Sequence, residues 1–394
     1  MSINDPVVIV QALRTPMGGF GGSLSQVAAP TLASVVIDGI VTNAKLNQDD
    51  VDEVILGCVL PAGLGQAPAR QAALEAGLDK GTPCTTINKV CGSGMKAVMM
   101  AHDFILAGSA KVVIAGGMEN MSLSPYMLPK ARNGMRMGHG EVKDHMFLDG
   151  LEDAYTGKAM GVFAQKTADD SQFTREQMDE FAIASLSRAN SAIEAGAFAN
   201  EITPVTIKNR RGDVTVSIDE QPGNARVDKI PSLRPAFAKD GTITAANASS
   251  ISDGASALLV MQQSEAQARG LKPLAKIVAH ASHAQQPSEF TIAPVGAMNK
   301  VLEKAQWSTQ DVDLFEINEA FAMVTMLGMQ ALGLDHEKVN VNGGACALGH
   351  PLGSSGSRIL VTLIHALQAR NLSKGVASLC IGGGEATAMA IELI

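Results

Sequence analysis

The chain has 394 residues, 18% of them charged and 46% apolar, with 39 glycines. At roughly 150 residues per domain this length corresponds to two to three structural units. A charged share below the usual level of about 25% excludes disordered and fibrous classes. The formal net charge is −8 and no Lys/Arg block stands out, which excludes the electrostatic footprint of a nucleic-acid binder. Five widely spaced cysteines (Cys58, Cys84, Cys91, Cys346 and Cys380) contain no C-x-x-C pair. That argues against a disulfide scaffold and a zinc site and for reduced thiols in a cytoplasmic protein. Aromatic residues make up only 4%, so the core must be built from Val, Ile, Leu, Met and Ala.

In chain order, Met-Ser-Ile-Asn-Asp-Pro runs directly into an apolar strand at residues 7–10, so no secretory leader is expected. Further buried strands are predicted at residues 54–56, 111–115 and 376–380, alternating with helical patterns as in α/β proteins with parallel sheets. Over residues 93–107, Met95, Val98, Met99, His102 and Leu106 recur at helical spacing, and Ala and other apolar residues occupy much of the rest. This predicts an interior helix. No run of about 18 apolar residues appears, so a membrane span is not expected.

The two ends resemble each other. Asp50-Val51-Asp52-Glu53-Val54-Ile55 is echoed by Asp311-Val312-Asp313-Leu314-Phe315-Glu316, and Val113-Ile114-Ala115-Gly116-Gly117-Met118-Glu119 by Leu379-Cys380-Ile381-Gly382-Gly383-Gly384-Glu385. Two related α/β halves follow; a shared style of strand and Gly-rich turn is the competing explanation. Between them, residues 121–140 and 209–248 carry loop signals, and a helix at 175–194 opens with Thr174 as N-cap. The expected division is an N-terminal half (1–120), an inserted loop domain over the mouth of the body (121–250) and a C-terminal half (251–394).

Four places offer chemistry. Cys91 follows the strand-like Thr85-Thr86-Ile87-Asn88 and opens Gly92-Ser93-Gly94-Met95. A thiol at a helix N-terminus is expected to have a lowered pKa and to be nucleophilic; a buried structural cysteine is the alternative. The same glycines weakly match a dinucleotide-binding fingerprint, but no acidic residue stands at the required spacing. His350, held between Gly349 and Pro351, is suited to polarise a thiol or donate to an oxyanion. Cys380 ends a strand before Gly382-Gly383-Gly384, whose N–H groups suit an oxyanion hole. Asn318, in Asn318-Glu319-Ala320-Phe321, offers an amide to hold a water or a carbonyl.

Taken together, Arg14-Thr15-Pro16, Val90-Cys91-Gly92-Ser93-Gly94, Asn318-Glu319-Ala320-Phe321, Gly349-His350-Pro351 and Cys380-Ile381-Gly382-Gly383-Gly384 resemble, in order and spacing along the whole chain, the thiolases of acetyl-CoA acetyltransferase type. The resemblance implies a five-layer αβαβα fold of two similar halves plus a loop domain. It also implies a ping-pong reaction that joins two acetyl-CoA into acetoacetyl-CoA and CoA, or the reverse thiolysis; a 3-ketoacyl-CoA thiolase of longer chain preference is the nearest rival. By the same resemblance Cys91 is the acylated nucleophile, His350 activates it, and Cys380 is the acid/base at C2 of the second acyl-CoA. His350 with a water held by Asn318 forms one oxyanion hole, and the N–H groups of Cys91 and Gly382 form the other.

Coenzyme A contacts are implied for Met160 near the acyl end, Phe237 toward the adenine and Ser249 on the pantetheine, with Ala320 and Phe321 lining the acyl pocket. No metal or resident cofactor is expected. Residues 135–149 resemble a tetramerisation loop, implying a homotetramer. Three departures stand out: Ala159 where many relatives carry His, Cys346 where Ile is commoner, and Ser252 where Asn is common.

Overall fold

In the computed structural model, residues 5–210 and 212–394 are described; the first four residues, at which the expected N-terminal half begins, and Arg211 lie outside that set. In chain order the principal elements are β1 (Val7–Arg14), α1 (Ala29–Ala44), β2 (Glu53–Gly57), α2 (Pro68–Glu75), β3 (Cys84–Ile87), α3 (Ser93–Ala107), β4 (Val112–Asn120), α4 (Met160–Asp170), α5 (Arg175–Glu194), β5 (Ser252–Gln262), β6 (Ala275–Ala284), α6 (Ala293–Ala305), β7 (Leu314–Ile317), α7 (Ala322–Leu332), α8 (Ala345–Leu348), α9 (Leu352–Ala369), β8 (Lys374–Ile381) and β9 (Glu385–Leu393).

The internal repeat is a topological fact. The first half lays its strands in the order β3-β2-β4-β5-β1, and the second in the order β7-β8-β9-β6, with Val339 bridging to Phe315 where a further edge strand would lie. The order of the first half therefore recurs in the second. In each half the parallel pairs at the outer edge (β2 with β3 and β4, β7 with β8) give way to antiparallel ones toward the middle of the sheet. Within the sheet the halves are joined by β1 and β6, which pair Val8 with Lys276 and Ile9 with Ala275. The strand at 252–262 lies beyond position 250, where the sequence reading begins the C-terminal half, yet β5 pairs with β1 and β4. The inserted segment thus interrupts the first half between its β4 and β5, and the second half starts at β6.

Strand alternation sorts the layers. In β1, Val7 and Ile9 join the central cluster while Val8 and Val10 face outward; in β5, Leu258 and Val260 face inward and Leu259 and Met261 outward. The central cluster holds α3 and α9 (Met95, Val98, Ile359, Leu363) between inward faces of both halves (Ile55 and Val113, Leu379 and Ile391). Helix α1 covers the outer face of the first half through Leu32, Val36 and Ile40. Helix α6 covers the second through Ala297, Met298 and Val301. The result is five layers, αβαβα, held mainly by aliphatic burial at about 25 cal/mol per Å² of apolar area.

Two helices sharpen the sequence reading. Thr174 caps α5 in a full capping box: its Oγ1 accepts from the Gln177 N–H at 3.2 Å while Gln177 Oε1 accepts from the Thr174 N–H at 3.0 Å. Helix α3 has the expected bounds but is interior only over its first three turns. Leu106 is 42% exposed, and Asp103 stands at the surface.

The central helices touch through glycine. A Cβ on Gly94 would lie 2.5 Å from Ser357 Oγ and 2.8 Å from the Ser357 backbone nitrogen, and one on Gly356 would lie 2.5 Å from the Met95 backbone nitrogen. Only hydrogen fits, so α3 and α9 approach backbone to backbone. Their N-termini carry Cys91 and His350.

Candidate active site

Cys91 sits in a tight turn between β3 and α3. Val90 has φ +46°, a left-handed conformation that a β-branched residue adopts only under constraint. The constraint is visible. The Val90 N–H donates to Asn88 Oδ1 at 2.8 Å, Ser93 Oγ donates to the Val90 carbonyl at 2.7 Å, and the Lys89 N–H donates to Ser93 Oγ at 2.7 Å. The turn projects the thiol toward the second half, where Ile381 packs against Gly92.

There the β8–β9 turn answers it. The N–H groups of Gly382 and of Cys91 itself both reach the Cys91 sulfur and favour its thiolate, but burial outweighs them and pushes the thiol up to about 11. This corrects the expectation of a lowered pKa. The helix N-terminus is present, but the surroundings are too apolar for it to prevail, so Cys91 rests as a thiol. Cys380 is 1% exposed. Its thiol is likewise raised well above the ordinary range, by burial first and then by the neighbouring Cys91 charge. The two thiols are therefore neighbours where the halves meet.

His350 enters from the N-terminus of α9. Its imidazole is held down to about 3 by burial and by the Arg358 charge, so it is neutral at physiological pH. Nδ1 lies 2.5 Å from Ser355 Oγ, and Ser355 donates its proton to the Pro351 carbonyl at 2.9 Å. Nδ1–H is therefore the donor to Ser355, and Nε2 presents a lone pair. Nε2 is buried without a protein partner, and so are both side-chain atoms of Asn318. Buried polar atoms are normally satisfied, and an unpaired imidazole nitrogen and an unpaired carboxamide are suited to a water or a thioester oxygen. Parallel pairing of β7 with β8, Ile317 opposite Ser378, sets Asn318 at the same sheet end as Cys380.

The inserted domain closes the pocket. Met160 Cε would lie 3.7 Å from a Cβ on Gly382. The Ser249 N–H donates to the Ala320 carbonyl at 3.0 Å, and Ala248 bridges Phe321. Phe237, expected toward the adenine, seats its ring on Gly161 and meets Phe321 edge-on at 6.1 Å, in the cluster that holds Met160, Ala320 and Cys380. The structure thus gathers Cys91, Cys380, Gly382, Met160, Phe237, Ser249, Ala320 and Phe321 at one end of the sheet.

The sequence assigned no positioning role to Ser355 or Glu119 and marked Ser252 only as a departure. Ser355 orients the imidazole, and five residues downstream of His350 it carried no motif signal. The Ser252 hydroxyl accepts the His350 N–H at 3.2 Å and donates to the Ser250 carbonyl at 3.0 Å, which explains why a small hydroxyl residue serves there. Glu119, fully buried, accepts N–H bonds from Val59 (2.9 Å), Leu60 (3.1 Å) and Gly353 (2.9 Å). It ties the first half to the His350 loop. Burial raises it to about 7. On the opposite side, buried Glu319 accepts from Ser185 Oγ and Asn340 Nδ2, each at 2.8 Å, and from the Cys346 N–H at 3.0 Å. Cys346 donates its thiol to the Glu319 carbonyl at 3.7 Å, and its pKa is raised by burial and the Glu319 charge. It is a packing thiol.

Two orphaned polar side chains, two neighbouring thiols and two N–H groups directed at one sulfur are groups suited to acyl transfer through sulfur. Residues 7–264 match the family described as thiolase, N-terminal domain, and residues 271–393 the family described as thiolase, C-terminal domain. The chain belongs to the thiolase family. Among its thiolase relatives, the acetyl-CoA acetyltransferase of Cupriavidus necator is 50% identical, covering 98% of this chain and 99% of its own. That of Escherichia coli K12 is 51% identical, covering 98% of each. The crystal structure of a Bacillus anthracis acetyl-CoA acetyltransferase superposes with a TM-score of 0.96 at 44% identity, covering 99% of both chains. A thiolase from Ascaris suum solved in complex with coenzyme A gives 0.94 at 41%, covering 99% of this chain and all of its own.

Proposed function

We infer that this thiolase is an acetyl-CoA C-acetyltransferase that joins two acetyl-CoA into acetoacetyl-CoA and CoA and catalyses the reverse thiolysis. The observation that carries the reading is the nearness of two buried thiols, Cys91 and Cys380, with the Gly382 N–H directed at the Cys91 sulfur. Moving an acyl group from a thioester to a thiol is close to neutral in free energy, so acylation turns on moving protons.

In the first half-reaction His350 Nε2 takes the Cys91 proton as the sulfur attacks the thioester carbon. The C–S bond to CoA breaks, and Cys380 protonates the departing CoA sulfur. The N–H groups of Cys91 and Gly382 hold the carbonyl oxygen of the acetyl-Cys91 thioester. In the second half-reaction the Cys380 thiolate takes a C2 proton from a new acetyl-CoA. His350 Nε2–H and a water on Asn318 stabilise the enolate oxygen. C2 attacks the acetyl carbon, and Cys91 leaves and recovers its proton from His350. Met160, Phe237, Ser249, Ala320 and Phe321 serve the pantetheine and acyl group, with no metal in any step.

Intact mass spectrometry after incubation with acetyl-CoA tests this: one acetyl adduct on Cys91, absent in Cys91→Ala. In Cys380→Ala acylation persists while condensation collapses. No adduct, or one on Cys346, sinks the assignment. Chain preference follows from comparing thiolysis of acetoacetyl-CoA and 3-ketohexanoyl-CoA, with the shorter substrate expected to be faster although Ala159 caps α4.

We propose further that the protein is cytoplasmic and acts as a homotetramer. No helix among the described residues is long and apolar enough to cross a membrane. The segment 135–149 exposes Met135, Met137 and Val142, with Met137 98% exposed, an apolar surface suited to a partner. Light scattering is expected to return the mass of four chains, and deletion of residues 130–141 is expected to lower it.

A further inference from the structure

At the end of the central helix away from Cys91, two imidazoles and a carboxylate converge. His102 Nδ1 lies 3.0 Å from Asp103 Oδ1, His280 Nε2 lies 3.0 Å from the same oxygen, and the two nitrogens are 3.2 Å apart. His102 and Asp103 belong to α3 of the first half and His280 to β6 of the second. The imidazole side chains are only 15% and 16% exposed, while Asp103 is 54% exposed and opens the cluster to solvent.

His280 is aimed there by a bulge. Before it, Ala275 and Ile277 face the central helices; after the register shift between Ile277 and Ala279, Ala279 and Ala281 face the outer layer. The shift turns the even-numbered His280 inward, toward α3, where unbroken alternation would have turned it away.

Protons satisfy this triangle in one crowded arrangement only, with both imidazoles donating to the same Asp103 oxygen. If both imidazoles donate to Asp103, two N–H groups abut across 3.2 Å. If either ring nitrogen is unprotonated, its lone pair abuts the carboxylate oxygen at 3.0 Å. A cation that accepts all three lone pairs satisfies every contact at once. The edges of 3.0, 3.0 and 3.2 Å come near the roughly 3.3 Å separation of ligands around a tetrahedral ion with bonds of about 2.0–2.1 Å. Lys304, the nearby cation, points its ammonium at the His280 carbonyl at 3.0 Å, not at the triangle.

We propose that His102, Asp103 and His280 form a binding site for a divalent late transition-metal ion of the zinc class. The ion leaves its fourth position to solvent and ties α3 of one half to β6 of the other. Two imidazoles with one carboxylate select Zn²⁺, Co²⁺ or Ni²⁺ over Mg²⁺ and Ca²⁺. The site lies apart from the thiols, and its role is structural.

The test titrates chelator-treated enzyme with Co²⁺ and reads its visible ligand-field absorption. The expected result is one equivalent per chain, displaced by Zn²⁺ and unaffected by Mg²⁺, with affinity at least tenfold weaker in His102→Ala and in His280→Ala. Zn²⁺ is expected to raise the melting temperature of the wild type but not of Asp103→Asn. Condensation activity in metal-free buffer verifies that the variants fold, and Asp103→Asn and His280→Gln keep the shape should alanine be disruptive. Absence of bound Co²⁺ at millimolar concentration overturns the proposal. A spectrum dominated by sulfur-to-cobalt charge transfer and unchanged by the histidine variants also overturns it, because it places the ion on the catalytic thiols.

Discussion

At the scale of single residues, burial sets the protonation states of Cys91 and His350, the groups proposed to react. Cys91 near 11 and His350 near 3 form a neutral thiol and imidazole at pH 7, not an ion pair, so the proton moves only when substrate arrives. Iodoacetamide alkylation of Cys91 in the free enzyme is therefore expected to keep accelerating between pH 8 and 10, about tenfold per pH unit. A plateau below pH 8 would show a preformed thiolate. Ser355 supports the same arrangement by taking Nδ1–H. Ser355→Ala is expected to lower kcat at least tenfold with little change in KM, because the imidazole loses its tautomer lock while the pantetheine contacts remain. Equal loss in Ser355→Thr, which retains the hydroxyl, would point to packing instead.

Element-scale contacts decide how the two catalytic turns meet. Gly94 and Gly356 let α3 and α9 cross without side chains between them. Gly356→Ala forces a methyl onto the Met95 backbone nitrogen, at a cost of about 1–3 kcal/mol for overpacking. Calorimetry should show a Tm lower by several degrees, and the rate of Cys91 acetylation should fall further than the stability loss explains; an unchanged rate would remove the helix crossing from the account of the site. Glu119 works across the same crossing. Its folded-state value of about 7, above the ordinary carboxyl 4.5, means the folded protein holds a proton that the unfolded chain has released between those values. Its contribution to stability therefore falls as pH rises from 4.5 through 7 and stays low above. Glu119→Gln is expected to flatten the fall of denaturation midpoint between pH 5 and 8. A fall as steep as in the wild type would show that another buried acid, such as Glu316, raised to about 8, governs it.

On the scale of the whole molecule, the two halves are one folding unit despite their repeat. Helix α9 of the second half packs on α3, β4 and β5 of the first, so the central cluster belongs to neither half alone. The Lys89–Glu385 ion pair also joins them, beside the catalytic turn. Residues 1–264 expressed alone are expected to aggregate or bind hydrophobic dyes, because α3 loses its partner face. A monomeric, cooperatively melting fragment would refute this.

Sequence alone determined the elements and the chemical cast. Alternation and helical spacing placed β2, β4, β8 and α3, Thr174 marked the start of α5, and Cys91, His350 and Cys380 stood out as candidates beside glycine-rich turns because local turn chemistry is written locally. What only tertiary structure decided is everything that depends on neighbours distant in the chain. The repeat predicted two halves, but β5 returns to the first one across the inserted domain, since pairing obeys space and not chain order. The thiol of Cys91 lies high, not low, because burial by the second half outweighs its own helix. Ser252, Ser355 and Glu119 gained their roles from partners that folding brought to them, as did the His102, Asp103 and His280 triangle. A desolvation energy or a hydrogen bond across the fold has no signature in a local stretch of residues.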